Sequence, residues 1–231
     1  IMCMMDYIMI DGVPVLIVSY VMTLSKPEPV LPDERPTSSL LGPTTVCSVI
    51  GQQVINVSFL FAALGVMSNN EDYNEWPADS VANSGAWWFL GDNWETTVIF
   101  AVVYSQFLTS GMLFTFGSHW REAVYYNWPL TGFWALAFGF TSFLLLSDSN
   151  SVTEVFHIAN RDFGNGNSPV WDAAGVVQKK MPFGLRMSIW VLTVVSMICT
   201  AVWEKFVILG PVRDYMKRRT ADTKPGVKLR L

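Results

Sequence analysis

An aspartate lies inside an apolar stretch that is long enough to cross a membrane. Asp11 stands in the run 8–18, whose other side chains are uncharged, and Gly12 and Pro14 follow it closely. A carboxylate at bilayer depth is costly unless a cation, a hydrogen-bond donor or water compensates its charge, so ionisable residues there usually mark functional sites. Because Pro14 has no amide hydrogen, we expect a helix break that frees carbonyl oxygens beside Asp11. Interrupted helices bind cations in transporters, and we favour ligand binding by Asp11 over a structural hydrogen bond.

Asp6 is a second acidic residue on the same stretch. It precedes Asp11 by five residues, about one and a half helical turns. Because it is nearer the end of the stretch, it either forms the mouth of the same path or marks a solvated helix end, where charges cost little. The sequence leaves both roles of Asp6 open.

Uncharged polar side chains lie in two other apolar stretches. Gln52, Gln53 and Asn56 occupy one of them, and Gln106 occupies the next. The four-residue spacing of Gln52 and Asn56 puts both amides on one helix face. Such side chains commonly form hydrogen bonds between membrane helices, which is the interpretation we favour. In the alternative, the four amides are neutral oxygen ligands of a cation-binding site beside Asp11.

The composition indicates a membrane protein that crosses the bilayer several times. Of the 231 residues, 51% are apolar and only 15% are charged. A hydrocarbon core of roughly 30 Å needs about 20 helical residues. Five apolar stretches reach this length, at 4–24, 45–67, 96–117, 128–147 and 184–209. We therefore predict an all-α bundle of five transmembrane helices within a domain that covers residues 1–210.

Positive charge is concentrated after the last stretch, in a tail of residues 211–231. This tail holds seven of the 15 lysines and arginines. The positive-inside rule therefore predicts a cytosolic tail. Five crossings then place residues 68–95 and 148–183 on the far side of the membrane, where only three lysines and arginines lie. Anionic head groups of the lipid bilayer are expected partners of the tail.

Other chemistry has little support in the sequence. No glycine-rich phosphate-binding loop occurs, and the run 162–164 matches the kinase tripeptide Asp-Phe-Gly without the accompanying motifs. His119 and His157 each lack a second ligand at metal spacing. Glu204 and Lys205, near the end of the last stretch, are expected to reach the interface or to pair with neighbours. We expect no metal, no nucleic-acid partner and no cofactor for this segment.

Several motifs are similar to those of a transporter family. Asp11 stands in a span that leaves the membrane through a proline-rich stretch and the run 35–41, Arg-Pro-x-x-Ser-Leu-Leu. Further matches are Glu-x-Thr-Val-Ile-Phe at 95–100, followed by Gln106, and Arg-x-x-x-Tyr-Tyr-Asn-x-Pro at 121–129. Together these motifs resemble P-type transport ATPases of type V, B branch, which are polyamine or cation pumps of late endosomes, lysosomes and vacuoles. The resemblance extends over essentially all of the chain.

The resemblance implies that the five spans are the sixth to tenth membrane helices of a ten-helix core. Asp11 would be the sixth-helix carboxylate that helps to bind the transported cation or polyamine. The family's phosphorylated aspartate, nucleotide-binding domain, actuator domain and fourth helix have no counterpart here, so ATP and Mg²⁺ would act only in the intact protein. The chain begins at Ile1 without a signal-peptide pattern. We therefore expect an N-terminal part of the same protein to complete it.

Two other classes of protein remain open. A secondary transporter or channel-like protein could use Asp11 without ATP, although the sequence shows no internal repeat of the kind common in such transporters. A purely structural membrane subunit is the third possibility. An Asp-Lys-Thr-Gly phosphorylation loop upstream of Ile1 would distinguish the pump from both.

Overall fold

The computed structural model is an all-α bundle, which confirms the predicted fold class. It describes residues 2–30, 42–77, 84–116, 121–212 and 214–215. Five helices are long and apolar enough to cross a membrane: α1 (Met4–Thr23), α2 (Pro43–Ser68), α3 (Trp94–Phe114), α4 (Trp128–Leu146) and α7 (Phe183–Val212). Two short helices, α5 (Ser151–Val155) and α6 (Pro169–Ala174), lie between α4 and α7. The described ranges contain two isolated β-bridges and no β-strand.

The helix boundaries follow from local capping chemistry. At the start of α3, the side chain of Asn93 accepts a hydrogen bond from the amide of Thr96 at 2.6 Å, and Asn127 does the same for Leu130 of α4 at 3.2 Å. Asparagine at this position satisfies amides that have no partner within the helix. The predicted spans agree with the observed ones to within three residues. The largest differences, of three residues each, are at the ends of α3 (Phe114) and α7 (Val212).

Helix α3 is the centre of the bundle and packs against all four other membrane helices. Two thirds of its most apolar window is buried inside the protein, against 17% to 39% for the others. Glycine allows the closest of these contacts, because a Cβ atom on Gly111 would lie 2.4 Å from a methyl carbon of Val18. Gly111 therefore fixes the approach of α1 to α3.

The segment 147–182 forms a folded cap at the N-terminal end of α3. The indole of Trp171 donates to the backbone carbonyl of Asp92 at 2.5 Å, and the amide of Ala159 donates to the hydroxyl of Thr97 at 2.9 Å. His157 is 3% exposed, and its Nδ1 lies 2.5 Å from the carboxylate of Asp92, which is fully buried. The cap is thus packed and hydrogen-bonded to the start of α3.

Some sequence predictions fall outside the described residues. These include the run 35–41 of the family motif, His119, and all of the basic tail except residues 211, 212, 214 and 215. The cytosolic position of the tail therefore stays a prediction.

We expect Asp92→Ala to destabilise the cap, because it removes the buried partner of His157. The loss of a buried hydrogen bond to a chargeable group should lower the free energy of unfolding by about 1.5 to 3 kcal/mol. Denaturation of the protein in detergent micelles measures this effect. Glu71→Ala, at an exposed acid, is the control, and equal stability of the two variants would contradict the structural role of Asp92.

Candidate functional site

The helix that carries Asp11 is continuous but irregular. Residues Ile8–Val18 wind as a π-helix, and the amide of Ser19 donates to the carbonyl of Pro14, five residues earlier. The predicted break at Gly12 and Pro14 therefore takes the form of a widened helix. A π-helical turn lets the chain stay helical around a residue without an amide hydrogen, and such turns are frequent at functional sites.

Asp11 lies on the face of α1 that no described helix covers. Its side chain is exposed, and it makes no hydrogen bond or ion pair with any residue that the structure describes. An aspartate at the centre of a membrane helix costs about 2.5 to 3.5 kcal/mol on insertion scales when lipid surrounds it. In a bilayer, the Asp11 carboxylate would therefore need a proton, a positive charge, hydrogen-bond donors or water beside it.

Asp6 is placed in the opposite way, inside the protein. It is 0% exposed, and among the described residues only the thiol and the backbone amide of Cys3 lie close to its carboxylate, without the geometry of a full hydrogen bond. The start of α1 packs tightly there, since a Cβ atom on Gly91 would lie 2.5 Å from the Cβ of Cys3. Asp6 is therefore not a solvated helix end. A buried carboxylate without a partner is costly in its charged form, so Asp6 requires a proton or a cation.

The four predicted amide residues come together between α2 and α3. Gln52, Gln53, Asn56 and Gln106 all line one cavity of about 330 Å³, whereas Asp11 does not line it. The cavity opens on a surface where Gln53 is exposed. The four amide side chains therefore lie around one cavity, and that cavity does not include Asp11.

Most of these amides form hydrogen bonds between helices. The side chain of Gln106 donates to the carbonyl of Asn56 at 3.0 Å and to the hydroxyl of Ser196 at 3.3 Å. Thr200 of α7 lies 3.4 Å from the side-chain oxygen of Asn56. The favoured interpretation, interhelical hydrogen bonding, is therefore confirmed for Asn56 and Gln106, and it also holds for Gln52, which donates to Glu204 of α7.

Glu204 is a membrane carboxylate whose partners were not predicted from the sequence. It is 7% exposed, and one carboxylate oxygen accepts hydrogen bonds from the hydroxyl of Ser48 at 2.6 Å and the amide of Gln52 at 3.1 Å. No basic side chain in the described ranges forms an ion pair with it. Two roles were expected for Glu204, and the structure shows the pairing with neighbours. The carboxylate does not reach the interface, because two uncharged donors on α2 form hydrogen bonds with it inside the bundle.

A spacing signal could have revealed this arrangement. Ser48, Gln52 and Asn56 follow each other at intervals of four residues, and so do Ser196, Thr200 and Glu204. Residues at this spacing share one helix face. The two stripes face each other across α2 and α7, and we call these six residues together with Gln106 the polar ladder.

Close packing of α7 on α2 holds the end of the polar ladder at Glu204. A Cβ atom on Gly51 would lie 2.2 Å from the indole ring of Trp203, the residue before Glu204. Only glycine leaves room for this ring. Gly51 therefore sets the distance at which Glu204 meets Ser48 and Gln52.

We expect Gly51→Ala to displace Trp203 and weaken the packing of α7 on α2. Overpacking of a tight contact costs about 1 to 3 kcal/mol, so the unfolding midpoint in detergent should fall. Gly65→Ala is the matched control on the same helix, because a Cβ atom at that position would have no neighbouring atom within 4 Å. That variant should keep or slightly raise the midpoint, since alanine favours helix over glycine. A lower midpoint for Gly65→Ala than for Gly51→Ala would contradict the contact.

The described residues contain no group of three or more histidine, cysteine or acidic side chains placed to hold a metal ion. Three places in the described spans combine acidic side chains with membrane depth: the uncovered face at Asp11, the buried site of Asp6 and the polar ladder with Glu204. No protein-family model matches the chain, and no curated protein matches it significantly. The function is therefore inferred from the chemistry of these three places.

Proposed function

We propose that this chain is the C-terminal membrane part of an ATP-driven cation transporter, of the kind that its sequence resembles. The observation that carries the proposal is the exposure of Asp11 on a π-helical membrane span. A charge in this position is stable only when another protein element or a bound cation compensates it. A transport site that the chain shares with further helices would offer Asp11 both a neighbouring protein element and a bound cation.

The pump accounts for the uncovered face of α1. In a ten-helix core, the first five helices would pack against α1 and bring the remaining ligands to Asp11. Asp6 would lie on the path of the cation toward the far side. The ligand is a cation, and a polyamine is the form that the family resemblance favours. The amides Gln52, Gln53, Asn56 and Gln106 would then support the helices or line a side cavity, since Asp11 is not part of that cavity.

The remaining parts of such a pump would carry its energy source. An aspartyl-phosphate would form in a cytosolic domain with ATP and Mg²⁺, and movement of that domain would expose the cation alternately to each side of the membrane. The protein would reside in an endomembrane, with its basic tail in the cytosol. The five membrane helices are consistent with a multi-pass protein in any membrane.

A secondary transporter or channel-like protein is the second candidate. The observation behind it is the cavity of about 330 Å³ between α2 and α3, because a mostly apolar cavity with four amide side chains on its wall could hold a solute without any further domain. This candidate also uses Asp11, but without ATP. The coding sequence upstream of Ile1 separates the two, since only the pump requires an Asp-Lys-Thr-Gly loop there.

We expect Asp11→Asn in the intact protein to remove most of the ATP hydrolysis that the transported cation stimulates. The amide keeps the size and much of the hydrogen bonding of aspartate but not its charge. Loss of a charged contact of about 1.5 to 3 kcal/mol corresponds to a decrease of about ten-fold to a hundred-fold. The assay is cation-stimulated phosphate release in reconstituted vesicles.

Glu71→Gln, at an exposed acid, provides the control for this measurement. It should leave stimulation unchanged, and both variants should insert into the membrane like the wild type. Full stimulation in Asp11→Asn would remove Asp11 from the transport site. Cation transport that continues without ATP, and stops in Asp11→Asn, would replace the pump by the second candidate.

A further inference from the structure

A small cavity with opposite charges on its walls lies where α1 ends and α4 begins. Its volume is about 260 Å³, and it is lined by residues 24–26 and 122, 123 and 126–129. Helices α1 and α3 end on this face of the membrane and α4 starts there, so the cavity lies at one membrane surface. Trp128 is 76% exposed and Tyr126 is 63% exposed. Exposed tryptophan and tyrosine at helix ends are typical of the lipid head-group region.

The cavity is built from distant parts of the chain by backbone and side-chain hydrogen bonds. The amide of Glu122 donates to the carbonyl of Lys26 at 3.0 Å, beside a β-bridge between Pro27 and Arg121. The buried side chain of Asn127 donates to the hydroxyl oxygen of Ser25 at 3.0 Å. These bonds hold the two walls of the cavity in place without any charged side chain.

The two charged side chains of the cavity do not neutralise each other. Lys26 and Glu122 both line it, yet neither forms an ion pair with any residue in the described part of the chain. A ligand with one charge of each sign would compensate both. Ser25 adds a donor, because its oxygen already accepts from Asn127 and its own hydrogen remains available.

We propose that this cavity binds the head group of phosphatidylethanolamine. Its phosphate would accept hydrogen bonds from Lys26 and Ser25, and its ammonium group would donate to the carboxylate of Glu122. The two acyl chains would continue along the apolar ends of the membrane helices, past Leu24, which is 42% exposed. This site lies apart from Asp11 and does not depend on the proposed transport function.

Other phospholipids fit this cavity less well. The trimethylammonium group of phosphatidylcholine has no hydrogen to donate to Glu122. Phosphatidylglycerol has no positive group and would place its negative charge near that carboxylate. Phosphatidylethanolamine alone among these three lipids supplies a hydrogen-bonding partner for both charges.

Native mass spectrometry of the intact protein, freed of lipid in detergent, tests the proposal. The three lipids are added separately with identical acyl chains, and the apparent dissociation constants are compared. We expect phosphatidylethanolamine to bind about five-fold more tightly than the others, the factor that one partly screened charge contact gives. Glu122→Gln should remove this preference, because the three lipids differ only in the group that this carboxylate meets. Lys26→Gln should weaken the binding of all three lipids and keep the preference, because each of them carries the phosphate that Lys26 contacts.

Matched controls carry the same changes at other described positions. Lys205→Gln and Glu28→Gln should keep the preference, since neither residue lines the cavity. Exchange of the two charges, Lys26→Glu with Glu122→Lys, should restore it, because the cavity again holds one charge of each sign. Equal binding of the three lipids to the wild type, a preference that survives in Glu122→Gln, or unchanged affinity in Lys26→Gln would overturn the proposal. Equally tight binding of glycerophosphoethanolamine, which lacks acyl chains, would show that a soluble ligand occupies the cavity instead.

Discussion

The structure depends on one constraint, that polar groups within the hydrocarbon of a bilayer must find partners inside the protein. Helix α3 meets this constraint as the central element, since it packs against every other membrane helix and buries Ser105, Gln106 and Thr109. Ser105 and Thr109 bond to carbonyls of their own helix, and Gln106 bonds to α2 and α7. Each of these three polar residues of α3 thus forms its hydrogen bonds either within α3 or with a neighbouring helix.

The same constraint distinguishes three acidic residues at membrane depth. Glu204 receives two neutral donors from α2 and is therefore compatible with a structural role. Asp6 is sealed from solvent with only the thiol and amide of Cys3 beside it, and Asp11 is exposed without a partner in the described part of the chain. An acid whose oxygens accept hydrogen bonds from neighbouring helices can hold those helices together. An acid without such bonds needs a proton, a cation or a donor that these helices do not provide. This difference makes Asp11 and Asp6 candidates for ligand binding and explains why Glu204 is less suited to that role.

Hydropathy and length were sufficient to predict the five helices, because a membrane span must be long, apolar and internally hydrogen-bonded. The pairing of Glu204 with Ser48 and Gln52 was not predicted, since a single sequence does not state which helices are neighbours. The cap was also missed as a packed unit. In the cap, His157 and Trp171 both contact Asp92, which precedes each of them by more than sixty residues in the sequence. Contacts between such distant residues leave no local periodic pattern in the sequence.

The position of Asp11 follows from the winding of its helix and not from the apolar pattern. Residues seven positions apart share a face of a regular α-helix, so Asp11 would lie on the side of Val18, which packs against Gly111. In the wider π-helix between them, the same seven residues no longer return to one face, and Val18 is buried while Asp11 is exposed. Pro14, within this π-helical stretch, therefore helps to turn the carboxylate away from the bundle. A binding site at Asp11 must then be completed from outside these five helices, by an element that approaches α1 on the exposed face that carries Asp11.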